Sequence, residues 1–151
     1  MDQPTTLPEL LDQGDPGAPA VGAPEATPLS RGGLRALARR TVEALNALGV
    51  GRNDRVAIVL PNGPEMATSF VCIGSGATTA PLNPAYRADE FEFYLTDLKA
   101  KALVVEAGAE TPALGVARKL GVPVVELVRD PGHGAGSFTL RAVDAMGITR
   151  V

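Results

Sequence analysis

The sequence predicts an α/β protein whose core is a mostly parallel sheet flanked by helices. Three observations carry this. First, Val56-Ala57-Ile58-Val59-Leu60 is an apolar run with no alternation, the habit of strands covered on both faces, and Thr78 to Leu82 and Ala102 to Val105 read as further buried strands, with Val122 to Leu127 as a fourth strand. Second, helical patterns lie between them, so strand and helix alternate as parallel crossovers require. Third, 45% of the residues are hydrophobic and mean hydropathy is +0.11, ample apolar material for a core.

Six prolines fall within residues 1–28 (Pro4, Pro8, Pro16, Pro19, Pro24 and Pro28). This stretch reads as an N-terminal arm, loose or lightly structured. Leu7 to Leu11 suits one helical turn, and Ala20 to Ala23 with Leu29 suits a short hairpin. Residues 29–140 read as an incomplete α/β unit of a larger domain, and 141–151 as a tail of uncertain fold.

Ser30 opens an amphipathic helix running to Leu48. At about 100° per residue, Leu34, Leu37, Ala38, Thr41, Leu45 and Leu48 share one face, with Arg35, Arg39, Glu43 and Asn46 opposite. Gly49 then supplies a glycine C-cap and Val50 its apolar follow-on. Arg35, Arg39 and Arg40 fan across the polar side with Glu43 among them, a solvated face rather than a phosphate patch. At the chain's centre, Pro61-Asn62-Gly63-Pro64-Glu65 links the first buried strand to the apolar helix Met66 to Ile73. Asn62 is the expected cap, with Pro64 in the first turn and Glu65 at the capping-box position. Gly74-Ser75-Gly76 ends that helix before the strand from Thr78.

After the turn at Asn83-Pro84, Asp89 to Leu98 forms a helix with Phe91, Tyr94, Leu95 and Leu98 on one face. Phe93 falls nearly opposite, as though something else covers it. Thr111-Pro112 caps another helix that Gly121 closes. Arg129 to Ser137 reads as an exposed, mobile glycine-rich loop, and Phe138 to Leu140 as a short strand.

Two stretches resemble a known family. Asp54-Arg55-Val56-Ala57-Ile58-Val59-Leu60-Pro61-Asn62, with Gly76-Ala77 and Pro81-Leu82-Asn83-Pro84-Ala85-Tyr86 after it, is similar to the N-terminal region of the adenylate-forming (AMP-binding) acid–CoA ligases. Asp89-Glu90-Phe91-Glu92-Phe93-Tyr94-Leu95-Thr96-Asp97 resembles the branch that holds oxalate–CoA ligase and the peroxisomal CoA synthetases. The similarity covers roughly Ala20 to Leu140 of a family several times longer. It implies an N-terminal fragment of an enzyme that activates a small carboxylic acid with ATP and magnesium and passes the acyl group to CoA, with oxalate the acid suggested by the branch. It also implies that the phosphate-cradling glycines, the ribose-binding acid and the mobile lysine follow the matched region. No catalytic, cofactor-binding or metal residue is therefore carried over. Neither ATP, magnesium nor CoA is expected to bind this chain tightly by itself, and the chain is expected to be inactive alone and to pack against the rest of its parent protein. Where the family has Gly-Asp before the first strand, this chain has Asn53-Asp54, and asparagine tolerates the same left-handed turn. Arg31-Gly32-Gly33 replaces a common aromatic and weakens the first helical turn.

Candidate sites read from the residues are few. Ser75-Gly76-Ala77-Thr78-Thr79-Ala80-Pro81 looks like a phosphate loop, but Leu82 stands where a lysine is needed and a strand, not a helix, follows. The turn at Pro61 to Pro64 has the right topology but one glycine and a proline without an N–H. His133, the sole histidine, lacks a partner at ligand or triad spacing. Cys72 reads as a small core residue. Asp89, Glu90, Glu92 and Asp97 form no paired-carboxylate site; the first two suit a helix N-terminus.

Net charge is −3, with signs interspersed, which excludes a nucleic-acid footprint. No apolar run approaches the roughly 20 residues of a membrane span, and Met1-Asp2-Gln3-Pro4 is not the start of a signal peptide. A single cysteine suits the cytoplasm. The alternative to a ligase portion is a non-catalytic α/β module with a binding or interaction role. An incomplete sheet is expected to expose edges and apolar faces and to associate.

Overall fold

The computed structural model describes residues 3–143 and 149–150. The arm is structured. Helix α1 (Leu7–Leu11) starts on a capping box: Thr6 Oγ1 accepts from the Glu9 N–H at 3.3 Å, and Glu9 reaches back to the Thr6 N–H at 3.2 Å. The Thr5 backbone N–H, 2.7 Å from Glu9, is the main reason that carboxyl sits below its usual range. Strand β1 (Pro19–Val21) pairs antiparallel with β2 (Leu29–Ser30), so the arm ends in the short hairpin that the sequence suggests.

Helix α2 (Arg31–Ala47) begins where Ser30 Oγ accepts from the Gly33 N–H at 3.0 Å, despite its two early glycines. Leu37, Ala38, Thr41 and Leu45 are buried on its inner face, whereas Leu48 is exposed because it lies at the cap. The helix ends in a Schellman motif. Val50 N–H reaches Leu45 O, Gly49 N–H reaches Asn46 O, and Gly49 takes φ +80°. Asn53 follows with φ +70°, the left-handed turn expected of it.

The main sheet has six strands in the order β4-β3-β5-β6-β7-β8. Strands β3 (Arg55–Val59), β4 (Thr78–Pro81), β5 (Ala102–Glu106) and β6 (Val124–Arg129) run parallel. Strands β7 (Phe138–Val143) and β8 (Thr149–Arg150) are antiparallel additions. Strand β7 thus runs past the short strand expected at Phe138 to Leu140. The apolar runs of β3 and β5 divide by alternation. Val56, Ile58 and Val104 face a core shared with Leu37, Leu45, Cys72 and Ile73 of α2 and α3 (Pro64–Gly74). Ala57, Val59, Leu103 and Val105 face Phe91 and Leu95 of α4 (Ala88–Leu98) and Val116 of α5 (Pro112–Leu120). The central strands are therefore sandwiched, which is why they carry no alternation.

Strand β4 departs from expectation. It is the sheet edge and only partly covered, because β4 pairs with β3 alone. The Thr78 and Leu82 N–H groups donate to Asp54 O and Ile58 O. Helix α5 is capped as read, by Thr111 Oγ1 at 3.2 Å from the Ala113 N–H and by Gly121 at φ +72°.

Candidate functional site

In an open parallel sheet, ligands bind beyond the strands' carboxyl ends where successive connections leave for opposite faces. Here α3 leaves β3 toward the face held by α2, and α5 leaves β5 toward the face held by α4. The switch point is therefore between β3 and β5, at the end where the segments after Val59, Glu106 and Arg129 leave the sheet.

Three charged side chains meet at that end. Glu65 comes from the first turn of α3, Glu106 from the last residue of β5 and Arg129 from the last residue of β6. Arg129 Nε lies 2.9 Å from Glu106 Oε1 and 4.0 Å from Glu65 Oε1, with the Glu65 side chain only 12% exposed. Because the guanidinium stands between the carboxylates, they do not form a free acid–base pair; they tie the start of α3 to β5 and β6. The sequence reading missed this cluster. The available signal was a charged residue closing each of two consecutive apolar strand runs.

The turn ahead of α3 corrects the cap expected at Asn62. Pro64 is the first helical residue and Gly63 is the cap, in extended conformation and with no side-chain bond to the helix. Proline's fixed φ sets the helix start, so the cap falls one residue before it. Beside the turn, a shallow depression is lined by Leu60, Asn62, Met66 and Pro81 to Ala85, and it contains no charged side chain.

The other candidates can now be located. Ser75 caps the carboxyl end of α3, its hydroxyl donating to Val71 O at 2.9 Å, while the Gly76 and Ala77 N–H groups bond Ile73 O. The stretch Ser75 to Pro81 thus faces helix carbonyls, the wrong polarity for a phosphate. Cys72 is fully buried. Burial pushes its thiol up to about 12, against the opposing pull of the Arg40 charge and a hydrogen bond with Thr41, so a thiolate nucleophile is not available there. His133 does have a partner: its Nδ1 lies 2.7 Å from Asp130 Oδ2, on an exposed turn. Among the described residues its ring meets that carboxylate, not a hydroxyl or thiol. Among the acidic residues of α4, Glu90 accepts from the Arg87 N–H at 3.1 Å, and Glu92 pairs with Lys119 of α5 at 2.9 Å rather than facing water alone.

Two expectations fail in part for a shared reason. The glycine-rich loop is exposed at Pro131 to His133, but Gly134 to Ser137 are buried, and Thr68 Oγ1 of α3 donates to Gly136 O at 2.6 Å. Gly136 has φ +79°, and a Cβ there would lie 2.6 Å from Thr68 Cγ2, so only glycine fits. Likewise Arg35 is not simply solvated. Its guanidinium donates to Leu11 O, Gln13 O and Gly14 O, closing the carboxyl end of α1. Both contacts join residues far apart in sequence, where local patterns give no signal.

On α4, Phe91 is fully buried and meets the Tyr86 ring edge-on at 5.7 Å, whereas Phe93 is 63% exposed. Tyr86 stacks on Tyr94 at 5.1 Å, and the hydrogen bond between them is the first cause that raises the Tyr86 hydroxyl above its ordinary range.

Comparison with known proteins supplies the family. A probable CoA ligase of Humulus lupulus (CCL9) is 36% identical over 107 residues, covering 70% of this chain and 20% of that protein. Oxalate–CoA ligase of Arabidopsis thaliana is 43% identical over 75 residues, covering 49% of this chain and 15% of that protein. Apo MatB from Rhodopseudomonas palustris superposes with a TM-score of 0.72 at 27% identity, over 87% of this chain and 26% of that one. The chain thus spans a fifth or less of these curated relatives. Residues 12–138 match the AMP-binding enzyme family, and the chain belongs to it.

Proposed function

We propose that this chain is the N-terminal scaffold portion of an ATP-dependent acid–CoA ligase, and that it is inactive alone. The whole enzyme would join a carboxylic acid to CoA at the expense of ATP, with magnesium, through an acyl-adenylate. Oxalate is the acid we assign, on the similarity to oxalate–CoA ligase of Arabidopsis thaliana and on the Asp89 to Asp97 stretch. The observation that carries the reading is the family match over residues 12–138.

The residues of this chain do not fit the nucleotide. Pro64 removes an N–H from the start of α3, Gly63 is a lone glycine, and Glu65 and Glu106 are engaged by Arg129. No group of three metal-ligating side chains occurs among the described residues. The work of this portion is instead to hold the ends of β3, β5 and β6 in fixed relation, a rigid base for loops supplied from elsewhere in the enzyme. The exposed Phe93 is a contact for that remainder. The same reading assigns the enzyme to the cytoplasm, supported by the one cysteine of these 151 residues, a buried free thiol.

The test is ATP–pyrophosphate exchange with oxalate, run on the product of the complete reading frame and on the 151-residue chain. Magnesium-dependent exchange by the former and none by the latter is expected. Exchange by the 151 residues alone at a comparable rate, or none by the complete product with any carboxylate of a broad panel, would overturn the proposal.

A further inference from the structure

We infer that Asn62-Gly63 is a site of spontaneous deamidation, which places an aspartate or isoaspartate at the entrance to α3. Deamidation of asparagine requires the backbone nitrogen of the next residue to reach the amide carbon of the side chain, and it makes asparagine thermolabile. Three conditions favour it: an exposed asparagine, a following residue without a Cβ, and a following N–H that no hydrogen bond holds.

The protein has four asparagines, at positions 46, 53, 62 and 83, and only one meets all three conditions. Asn46 is followed by Ala47 inside α2, whose N–H belongs to the helix ladder. Asn53 is followed by Asp54, whose N–H donates to Gly51 O at 3.0 Å. Asn83 is followed by Pro84, which has no N–H at all; its Oδ1 also accepts from the Ala85 N–H at 2.9 Å. Asn62 is exposed, as is Gly63. The Gly63 carbonyl accepts from the Met66 and Ala67 N–H groups, but its own N–H has no partner among the described residues. Gly63 anchors the helix through its acceptor and leaves its nitrogen free to react.

The chemistry needs only water. The Gly63 nitrogen attacks Cγ of Asn62, a new C–N bond closes a succinimide, and the Cγ–Nδ2 bond breaks to release ammonia. The Gly63 N–H proton passes to solvent base. Water then opens the ring at either carbonyl. Opening at one gives aspartate, whose charge suits the positive end of α3. Opening at the other gives isoaspartate, which routes the backbone through the side chain and lengthens the link between β3 and α3. The two products are therefore expected to act in opposite directions on the helix start.

The test is a time course of the purified protein in warm neutral and mildly alkaline buffer, read by mass spectrometry of the tryptic peptides, with Asn62 in the peptide Val56 to Arg87. That peptide holds both Asn62 and Asn83, so the control travels with the site. The expected result is an amide-to-acid mass gain at residue 62 that grows with time and with pH, as two products separable by chromatography, with positions 46, 53 and 83 unchanged. Gly63→Ala is expected to slow it about tenfold by crowding the attacking nitrogen. That variant fits the fold, since a Cβ at position 63 meets only Glu65 Oε2 at 3.6 Å. A urea-unfolded sample gives the reference rate. Native Asn62 reacting more than roughly tenfold slower than the unfolded protein would mean the turn protects it and would overturn the inference; so would gain at the other asparagines to the same extent.

Discussion

Replacing Thr68 with valine removes one hydroxyl and little else. Its volume and branching are kept, so no cavity opens and the helix is not asked for a new rotamer. What is lost is the 2.6 Å hydrogen bond from Thr68 Oγ1 to Gly136 O. Thr68 is 1% exposed, so water cannot reach the carbonyl that loses its donor. Stranding a buried acceptor costs about 1–3 kcal/mol. In a domain of this size each kcal/mol lowers the melting temperature by roughly 2–4 °C, so the variant should melt about 2–12 °C below the parent. Melting followed by circular dichroism, with amide exchange across residues 130–138, separates this from a general loosening. Exchange should accelerate first at Ala135 and Ser137, whose N–H groups bond Thr27 O and Gly134 O. Thr68→Ser, which keeps the hydroxyl, should protect the loop like the parent. A valine variant that melts within a degree of the parent with unchanged loop exchange would refute the reasoning.

Other perturbations have outcomes of different kinds. Phe91→Ala should cost about 3–5 kcal/mol by emptying a fully buried site, whereas Phe93→Ser should stay within about 0.5 kcal/mol and lower the binding of an apolar dye; equal melting losses would contradict the burial assigned to them. Arg35→Ala should free the arm, raising protease cleavage between Thr5 and Gly17 at a cost of about 1 kcal/mol to global stability, since the carbonyls of Gln13 and Gly14 that lose their donor lie in exposed positions where water can replace it; an uncut arm would count against the clamp. Cys72 should resist alkylation at neutral pH until the protein unfolds. Because its folded thiol is raised to about 12 from 9.0, the stability that the neutral form contributes is complete below pH 9 and lost as pH climbs toward 12, so urea midpoints for Cys72→Ala should fall less steeply with alkali than for the parent.

What could be read from the residues was whatever is decided within a few positions along the sequence. The Schellman ending at Gly49 and Val50, the cap at Thr111 and the left-handed Asn53 are settled by local sterics and orphan N–H groups, and the central strands by their unbroken apolarity. The turn before α3 shows the limit of that reasoning. Asparagine is a better cap than glycine in isolation, but the proline two residues on sets where the helix begins. Strand β4 reads as buried because Thr78 to Leu82 carries no charge and follows the apolar helix, yet its position at the edge depends on which strand pairs with β3 on the other side. The carboxylate–arginine cluster at the switch point is the hardest case, since Glu65, Glu106 and Arg129 are brought together only once the order of β3, β5 and β6 exists.

The edge strand carries one more implication. The N–H groups of Thr78 and Leu82 point inward to β3, so the two-residue alternation of a strand turns Thr79 and Pro81 outward. Proline has no N–H to offer. A foreign strand laid along β4 would therefore find a single donor, from Thr79, over the whole length of the edge. Strand addition at that border is disfavoured by one residue, which leaves side chains as the adhesive groups on that side, the exposed Phe93 on one layer and Phe70 on the other.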